Sequence, residues 1–315
     1  MYAAPASPGA ALSPQPLSPS APSFDVWMRE IVTRTEHALD LYLPAATTAP
    51  GLLHEAMRYA TLAGGKRVRA LLCHAAGAVV DADPAALDAA AAAIEMIHAY
   101  SLVHDDLPAM DNDALRRGRP TVHIKYGEAN AILVGDGLQA SAFETVCAAP
   151  LPPAQCIAVV RELAAASGSL GMVGGQYIDL ASTGTRLSLD ELERMHRMKT
   201  GALFRAAVLM GAHCGATPAA PQVIEAMERY QQAIGLAFQV VDDILDVTAD
   251  AATLGKTAGK DMQANKPTYV SILGLDASRE LALDLREQAR TALAPLGRHA
   301  SRLSALADLV IDRAY

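Results

Sequence analysis

Residues 85–111 read AALDAAAAAIEMIHAYSLVHDDLPAMD. From Ala85 to His104 a helix built on this stretch is apolar on nearly every side, with only Asp88 and Glu95 interrupting it. A helix that is apolar all round is a buried one, so it is expected at the centre of a helical domain. The stretch then runs into three carboxylates, Asp105, Asp106 and Asp111. Pro108 lies among them, and its ring clashes with the carbonyl of His104, so the helix should kink or end there. The acidic cluster therefore falls at a helix C-terminus, where the macrodipole disfavours anions. Like charges held together in apolar surroundings are costly unless something cationic compensates them.

A second cluster repeats the pattern. Asp242, Asp243 and Asp246 follow the apolar run Phe238 to Val241. Asp242 and Asp246 are four residues apart and share a helix face. Asp105 and Asp111 would be roughly 120° out of phase on an unbroken helix. The host segment Tyr230 to Val247 is also apolar, which makes it a second central helix. Two solvated acidic turns would be the plain alternative, but the apolar run before each cluster argues against it. Oxygen-only ligands select a hard divalent cation. Mg²⁺ fits best, because it is held by one or two carboxylates together with the phosphates of a substrate. The clusters lie 137 positions apart, which hints at a duplicated bundle.

Composition supports helices. Of 315 residues, 51% are hydrophobic and only 4% aromatic, and alanine is abundant. A net charge of −8 excludes nonspecific binding to nucleic acid or to an anionic membrane. An anionic substrate must then be held by metals or by a local basic cluster. Cys73, Cys147, Cys156 and Cys214 have no metal-ligand spacing and read as buried thiols of a reducing compartment, which places the protein in the cytoplasm. Residues 1–24 are uncharged and rich in Pro, Ala and Ser, with neither the basic nor the apolar region of a signal peptide. They are expected to form a disordered tail. The charge-free stretch Ala206 to Ile224 holds His213, Pro218 and Pro221 and makes a poor membrane span. No Pro/Ser linker divides residues 25–315, so they read as one all-α domain. Ser188 with Glu191 has the form of a capping box opening a helix towards Lys199.

Basic residues accompany both clusters. Gly64-Gly65-Lys66-Arg67-Val68-Arg69 pairs a flexible turn with cations, a combination suited to an anion. Arg116 and Arg117 follow the first cluster, and Lys256, Lys260 and Lys266 follow the second. Lys199 and Thr200 sit on an apolar helix, where the lysine either snorkels or points into a site. His98 lies seven positions upstream of Asp105 and could donate to a diphosphate. His104-Asp105 invites comparison with His-Asp metal phosphohydrolases, but His74 is the only histidine nearby that could serve as a further upstream ligand.

The stretch Ile97 to Pro120 resembles the first aspartate-rich motif of the trans-isoprenyl diphosphate synthases. It is most similar to the bacterial farnesyl type, with four residues between the Asp pair and the next Asp. Gly64 to Arg69, Lys199 to Phe204, Phe238 to Asp246 and Leu254-Gly-Lys256 follow in that family's order, and the likeness covers residues 25–315. Asn112 stands where bacterial members usually carry Asp. The resemblance implies an all-α isoprenoid synthase-type bundle of about ten helices around a deep central cavity, assembled as a homodimer. It implies condensation of isopentenyl diphosphate with dimethylallyl or geranyl diphosphate to farnesyl diphosphate (C15), with three Mg²⁺ ions. Asp105 and Asp111 would hold two ions with Asp106 in support, and Asp242 the third with Asp243 and Asp246 beside it. Arg116, Lys199, Lys256 and Lys266 would bind the allylic diphosphate. Lys66, Arg69, His98 and Arg117 would bind isopentenyl diphosphate. Gln239, Thr200 and the Lys199 carbonyl would stabilise the allylic cation. Tyr100, five residues before Asp105, would be the floor that limits chain length, while Ser101 at the neighbouring position is too small for that role. A geranylgeranyl (C20) product is the runner-up. A class I terpene cyclase lacks support, because its Asn/Asp, Ser/Thr, Glu metal motif is missing. A noncatalytic subunit would be expected to lose aspartates.

Overall fold

The computed structural model describes residues 22–248 and 267–312. Helix follows helix: α1 Phe24–Tyr42, α2 Gly51–Thr61, α3 Val68–Val79 and α4 Pro84–Asp105. After a two-residue hairpin (β1 Leu115–Arg116, β2 Arg119–Pro120) come α5 Val122–Tyr126, α6 Glu128–Cys147, α7 Pro153–Ser167 and α8 Met172–Ala181. Then α9 Leu189–His196 and α10 Ala202–His213 run on through a π-helical turn, Arg197–Gly201. The chain continues with α11 Pro221–Thr248, α12 Tyr269–Leu273, α13 Leu275–Leu293, a 3₁₀ turn Ala294–Ala300, and α14 Ser301–Ile311.

Helix α4 takes the central place its sequence predicts. Asp83 caps it by accepting from the N–H groups of Ala85 and Ala86, and Pro84 occupies the first turn. Ala89 to Ala93 are all buried, and such small side chains let α1, α3, α6 and α10 pack closely around it. Its two acidic interruptions are matched by cations from neighbouring helices. Asp88 pairs with Arg34 of α1 at 2.7 Å. Glu95, 3% exposed, accepts from Arg67 at 3.2 Å and from the Ala70 N–H at 3.2 Å. Arg67 is equally buried and also holds Glu36 and the Thr61 carbonyl. It therefore clamps α1, α2, α3 and α4 together. Removing one partner of such a pair strands a buried charge. Glu95→Ala is expected to lower stability by about 3 kcal/mol, read as the shift of the urea midpoint. An unchanged midpoint would show that Glu36 alone satisfies Arg67.

The end of α4 falls at Asp105, three residues before Pro108. The chain then folds back over the helix end: the Asp111 N–H donates to the Asp105 carbonyl (2.9 Å) and the Asp113 N–H to that of Asp106 (3.2 Å). These bonds satisfy carbonyls that a helix terminus leaves open. Asn112 sits there at φ 50°, a left-handed conformation that Asn tolerates better than most residues. One expectation needs correction. Cys73 and Cys214 are buried, but Cys147 is exposed and Cys156 only partly covered, because both lie at the open α6–α7 connection. All four thiols are free.

Candidate active site

A cavity of about 490 Å³ opens between α4, α8 and the π turn. Asp105, Arg69, Lys199 and Thr200 line it together with Tyr100, Ser101 and His98. The structure thus gathers residues from three separate sequence motifs around one space. Asp242 of α11 acts electrostatically on Arg69, so the second cluster faces the same region as the first.

Each aspartate pair divides its work. Successive helix residues point about 100° apart, so both members of a pair cannot face one cation. Asp106 is 3% exposed, and Arg116 holds both its oxygens, at 3.0 Å through Nε and 2.6 Å through Nη2. Asp243 is also 3% exposed. Its Oδ1 accepts from Gln239 Nε2 at 2.9 Å and its Oδ2 from the Tyr269 N–H at 2.8 Å. Protein donors thus engage the oxygens of Asp106 and Asp243, two of the six aspartates expected to serve the metals. Of the six, Asp246 shows the plainest fit to a hard cation. The Asp246 carboxylate is 6% exposed, and among the described residues its Oδ1 meets no hydrogen-bond donor. A buried anionic oxygen of that kind is a natural cation ligand. Asp105 accepts a hydrogen bond from Gln176 of α8. No group of three metal-ligating side chains converges among the described residues, so phosphate oxygens of a substrate would have to complete the coordination.

The cations fall into two groups. Arg116 is tied to the first cluster. Burial works against its charge, but Asp106, with Asp105 and Asp111 behind it, raises its pKa above the ordinary arginine value. Lys199 reaches across to Asp179 of α8 at 2.6 Å. The other group surrounds the 64–69 turn. Arg117 sits at φ 54° beside Gly118 at φ 72°, the positive-φ pair that a two-residue hairpin favours. This turn sends the Arg117 guanidinium onto the Gly64 carbonyl. Lys66 is exposed beside it. Arg69 packs its guanidinium over Phe204, 5.3 Å from the ring centre, and its buried Nε lacks a hydrogen-bond acceptor among the described residues. Burial depresses the Arg69 pKa. His98 is held neutral well below its usual pKa, first by burial and then by Arg69, Arg117, Arg116 and Arg67. A neutral imidazole among arginines can still donate one N–H to an anion. Lys256, Lys260 and Lys266 lie outside the described residues.

Comparison with known proteins settles the family. A model of polyprenyl synthetases matches residues 50–295. A probable farnesyl diphosphate synthase of Bradyrhizobium diazoefficiens is 55% identical over 90% of this chain and 86% of its own length. The farnesyl diphosphate synthase of Escherichia coli is 51% identical over 92% and 99%. The chain belongs to the polyprenyl synthetase family. Among solved structures, a Helicobacter pylori geranyltransferase complexed with magnesium and isoprenyl diphosphate superposes with a TM-score of 0.81. That structure is 32% identical and covers 94% of this chain and 98% of its own.

Several features of this polyprenyl synthetase site were not foreseen from the sequence. Asp179 and Gln176 come from α8, a helix with no recognised motif. The π turn at Arg197–Gly201 interrupts the expected regular helix at Lys199 and Thr200. Such turns recur at functional sites because they break the regular backbone ladder. Gly175 is the nearest local signal: a Cβ there would lie 2.1 Å from the Lys199 backbone nitrogen, so only glycine lets α8 approach the turn. Asp243 also has a consequence for Gln239. Its carboxylate accepts only, so the Gln239 amide must turn its NH₂ towards it. The Gln239 Oε1 is left for the Thr200 hydroxyl, which donates at 3.3 Å. The His-Asp phosphohydrolase comparison falls away, since His104 Nε2 donates to the Ile132 carbonyl at 3.0 Å.

Proposed function

We propose that the protein makes farnesyl diphosphate, condensing isopentenyl diphosphate first with dimethylallyl diphosphate and then with geranyl diphosphate. The observation that carries this reading is one cavity with Asp105, Lys199 and Thr200 at one end and Tyr100 lining it one to two helical turns deeper. The names of the 51% and 55% identical relatives support the C15 product. The magnesium and isoprenyl diphosphate in the Helicobacter pylori structure support the same chemistry here. Mg²⁺, in three ions, would be held by Asp105, Asp111, Asp242 and Asp246 and would neutralise charge growing on the leaving diphosphate.

The chain's own residues do the rest. Arg116 and Lys199 hold the allylic diphosphate, with Lys256 and Lys266 as further candidates. Lys66, Arg69, His98 and Arg117 hold isopentenyl diphosphate. The allylic C–O bond breaks and its electron pair leaves with the diphosphate. The isopentenyl double bond attacks the allylic cation, and the proton then lost passes to the departing diphosphate. Gln239 Oε1, oriented by Asp243, and the Thr200 hydroxyl oxygen present partial negative charge to that cation. The apolar cavity walls exclude water that would quench it. The exposed apolar residues Leu115, Ile124, Ile132 and Leu133 support a homodimer that would cover them. The free thiols fit a cytoplasmic location.

Tyr100 is 4% exposed and lies roughly 7.5 Å along α4 from Asp105. Ser101 turns its hydroxyl back onto the His98 carbonyl at 2.7 Å, so it is not the barrier. Tyr100→Ala is expected to shift the main product from C15 to C20 and longer while retaining turnover, read by chromatography of the dephosphorylated products. If the variant still made only C15, another helix would set the limit.

A further inference from the structure

His104 takes no part in the chemistry described above, yet its ring occupies a tailored place. It is four residues after Tyr100, on the same face of α4. The two rings meet edge to face, with centroids 5.6 Å apart and planes at 84°. On its other side the imidazole lies over Gly135 of α6. A Cβ at Gly135 would fall 2.0 Å from His104 Nε2, 2.4 Å from Cδ2 and 2.6 Å from Cε1. The whole ring therefore occupies the space that any larger residue at 135 would fill. Its Nε2–H donates to the Ile132 carbonyl, also on α6, at 3.0 Å. His104 is thus pinned to α6 by a slot and a hydrogen bond. Tyr100 is held less firmly, with Gln139 of α6 as the polar group that interacts with its hydroxyl. Among the described residues no hydrogen bond of good geometry reaches its hydroxyl, and Gln139 is its polar neighbour in the cavity wall. Its position depends on packing, and the His104 edge is a specific ring contact on it.

We infer that His104, seated in the Gly135 slot of α6, is a positioning residue that holds Tyr100 across the cavity and so helps to set product length. The inference rests on the reading of Tyr100 as the floor and extends it. The limit on the growing chain is a three-residue stack, Gly135, His104 and Tyr100, spanning two helices. An aromatic ring that is correctly placed in sequence but unsupported would yield to a longer prenyl chain. Edge-to-face ring pairs contribute modestly beyond their buried area, so loss of the support should leak product and not open the cavity fully. The expected effect is smaller than that of removing Tyr100 itself.

The test compares wild type with Tyr100→Ala, His104→Ala, His104→Phe and Gly135→Ala, each supplied with Mg²⁺, geranyl diphosphate and labelled isopentenyl diphosphate. Dephosphorylated products are separated by chain length and compared per turnover, beside the KM for geranyl diphosphate. His104→Ala is expected to raise the C20-to-C15 ratio about five-fold, the scale of a lost ring–ring contact, with little change in that KM. His104→Phe keeps an aromatic edge on Tyr100 and should restore the wild-type ratio. Gly135→Ala drives the ring out of its slot from the other helix and should also raise the ratio. A merely structural role would lower the amount of folded enzyme without changing the ratio. If His104→Ala keeps the wild-type ratio while Tyr100→Ala lengthens the product, the inference is overturned and the floor reading stands. If Tyr100→Ala itself leaves the ratio unchanged, the floor reading fails and the inference fails with it. Should His104→Ala not fold, an unchanged ratio in Gly135→Ala overturns the inference on its own.

Discussion

Asp105→Ala and Asp242→Ala are each expected to lower turnover by roughly three orders of magnitude or more. Under the proposed reading each removes a metal-ligating carboxylate, Asp105 from α4 and Asp242 from α11, so the ions that stabilise the diphosphate lose a ligand in either case. The deficit should appear mainly in kcat, because the stabilised charge grows as the diphosphate leaves. Folding should survive. Asp105 stands at the C-terminus of α4, where an anion opposes the helix dipole, and Asp242 is only partly buried. Taking one charge from a crowded acidic cluster also relieves repulsion. Steady-state rates with saturating Mg²⁺, beside circular dichroism of the variants, check both statements. Near-normal activity in either variant would show that the two clusters do not form one catalytic unit.

Arg69→Ala is expected to raise the KM for isopentenyl diphosphate about 100-fold, the scale of losing a charge-assisted hydrogen bond in a buried site. The KM for geranyl diphosphate should change far less. The buried Nε of Arg69 meets no acceptor among the described residues, and Phe204 braces the guanidinium. A buried cation with an open donor is poised for an anion. Lys66 is exposed, so Lys66→Ala should follow the same pattern with a smaller effect. Substrate-specific KM values, measured with the other substrate saturating, decide between them. A rise confined to geranyl diphosphate would invert the assignment of the two diphosphate pockets.

What the sequence could show was local or periodic. The all-round apolar character of Ala85 to His104 announced the central helix, and Pro108 announced where it stops. The Ser188–Glu191 box marked the start of α9, and both of its reciprocal bonds are present. Spacing could also bring Asp242 and Asp246 onto one face. It could not reveal which aspartate of each adjacent pair turns inward, because that depends on partners far along the chain. Arg116 claims Asp106 from ten residues away and the Tyr269 N–H claims Asp243 from 26 residues away. Asp179 was invisible for the same reason: its partner Lys199 lies 20 residues on, across a helix boundary. The π turn carries no periodic signature, since one extra residue is absorbed within a single turn. Gly135 reads as an ordinary helix weakness until the His104 ring is found against it.

The central claim is that one cavity joins an allylic and a homoallylic diphosphate and stops at fifteen carbons. It is tested most directly by incubating the 315-residue protein with Mg²⁺, geranyl diphosphate and labelled isopentenyl diphosphate, then sizing the dephosphorylated products. The account predicts label in farnesol as the main product, and no incorporation once Mg²⁺ is chelated. Failure to incorporate label in the presence of Mg²⁺, or a product that is mostly C20, would contradict it.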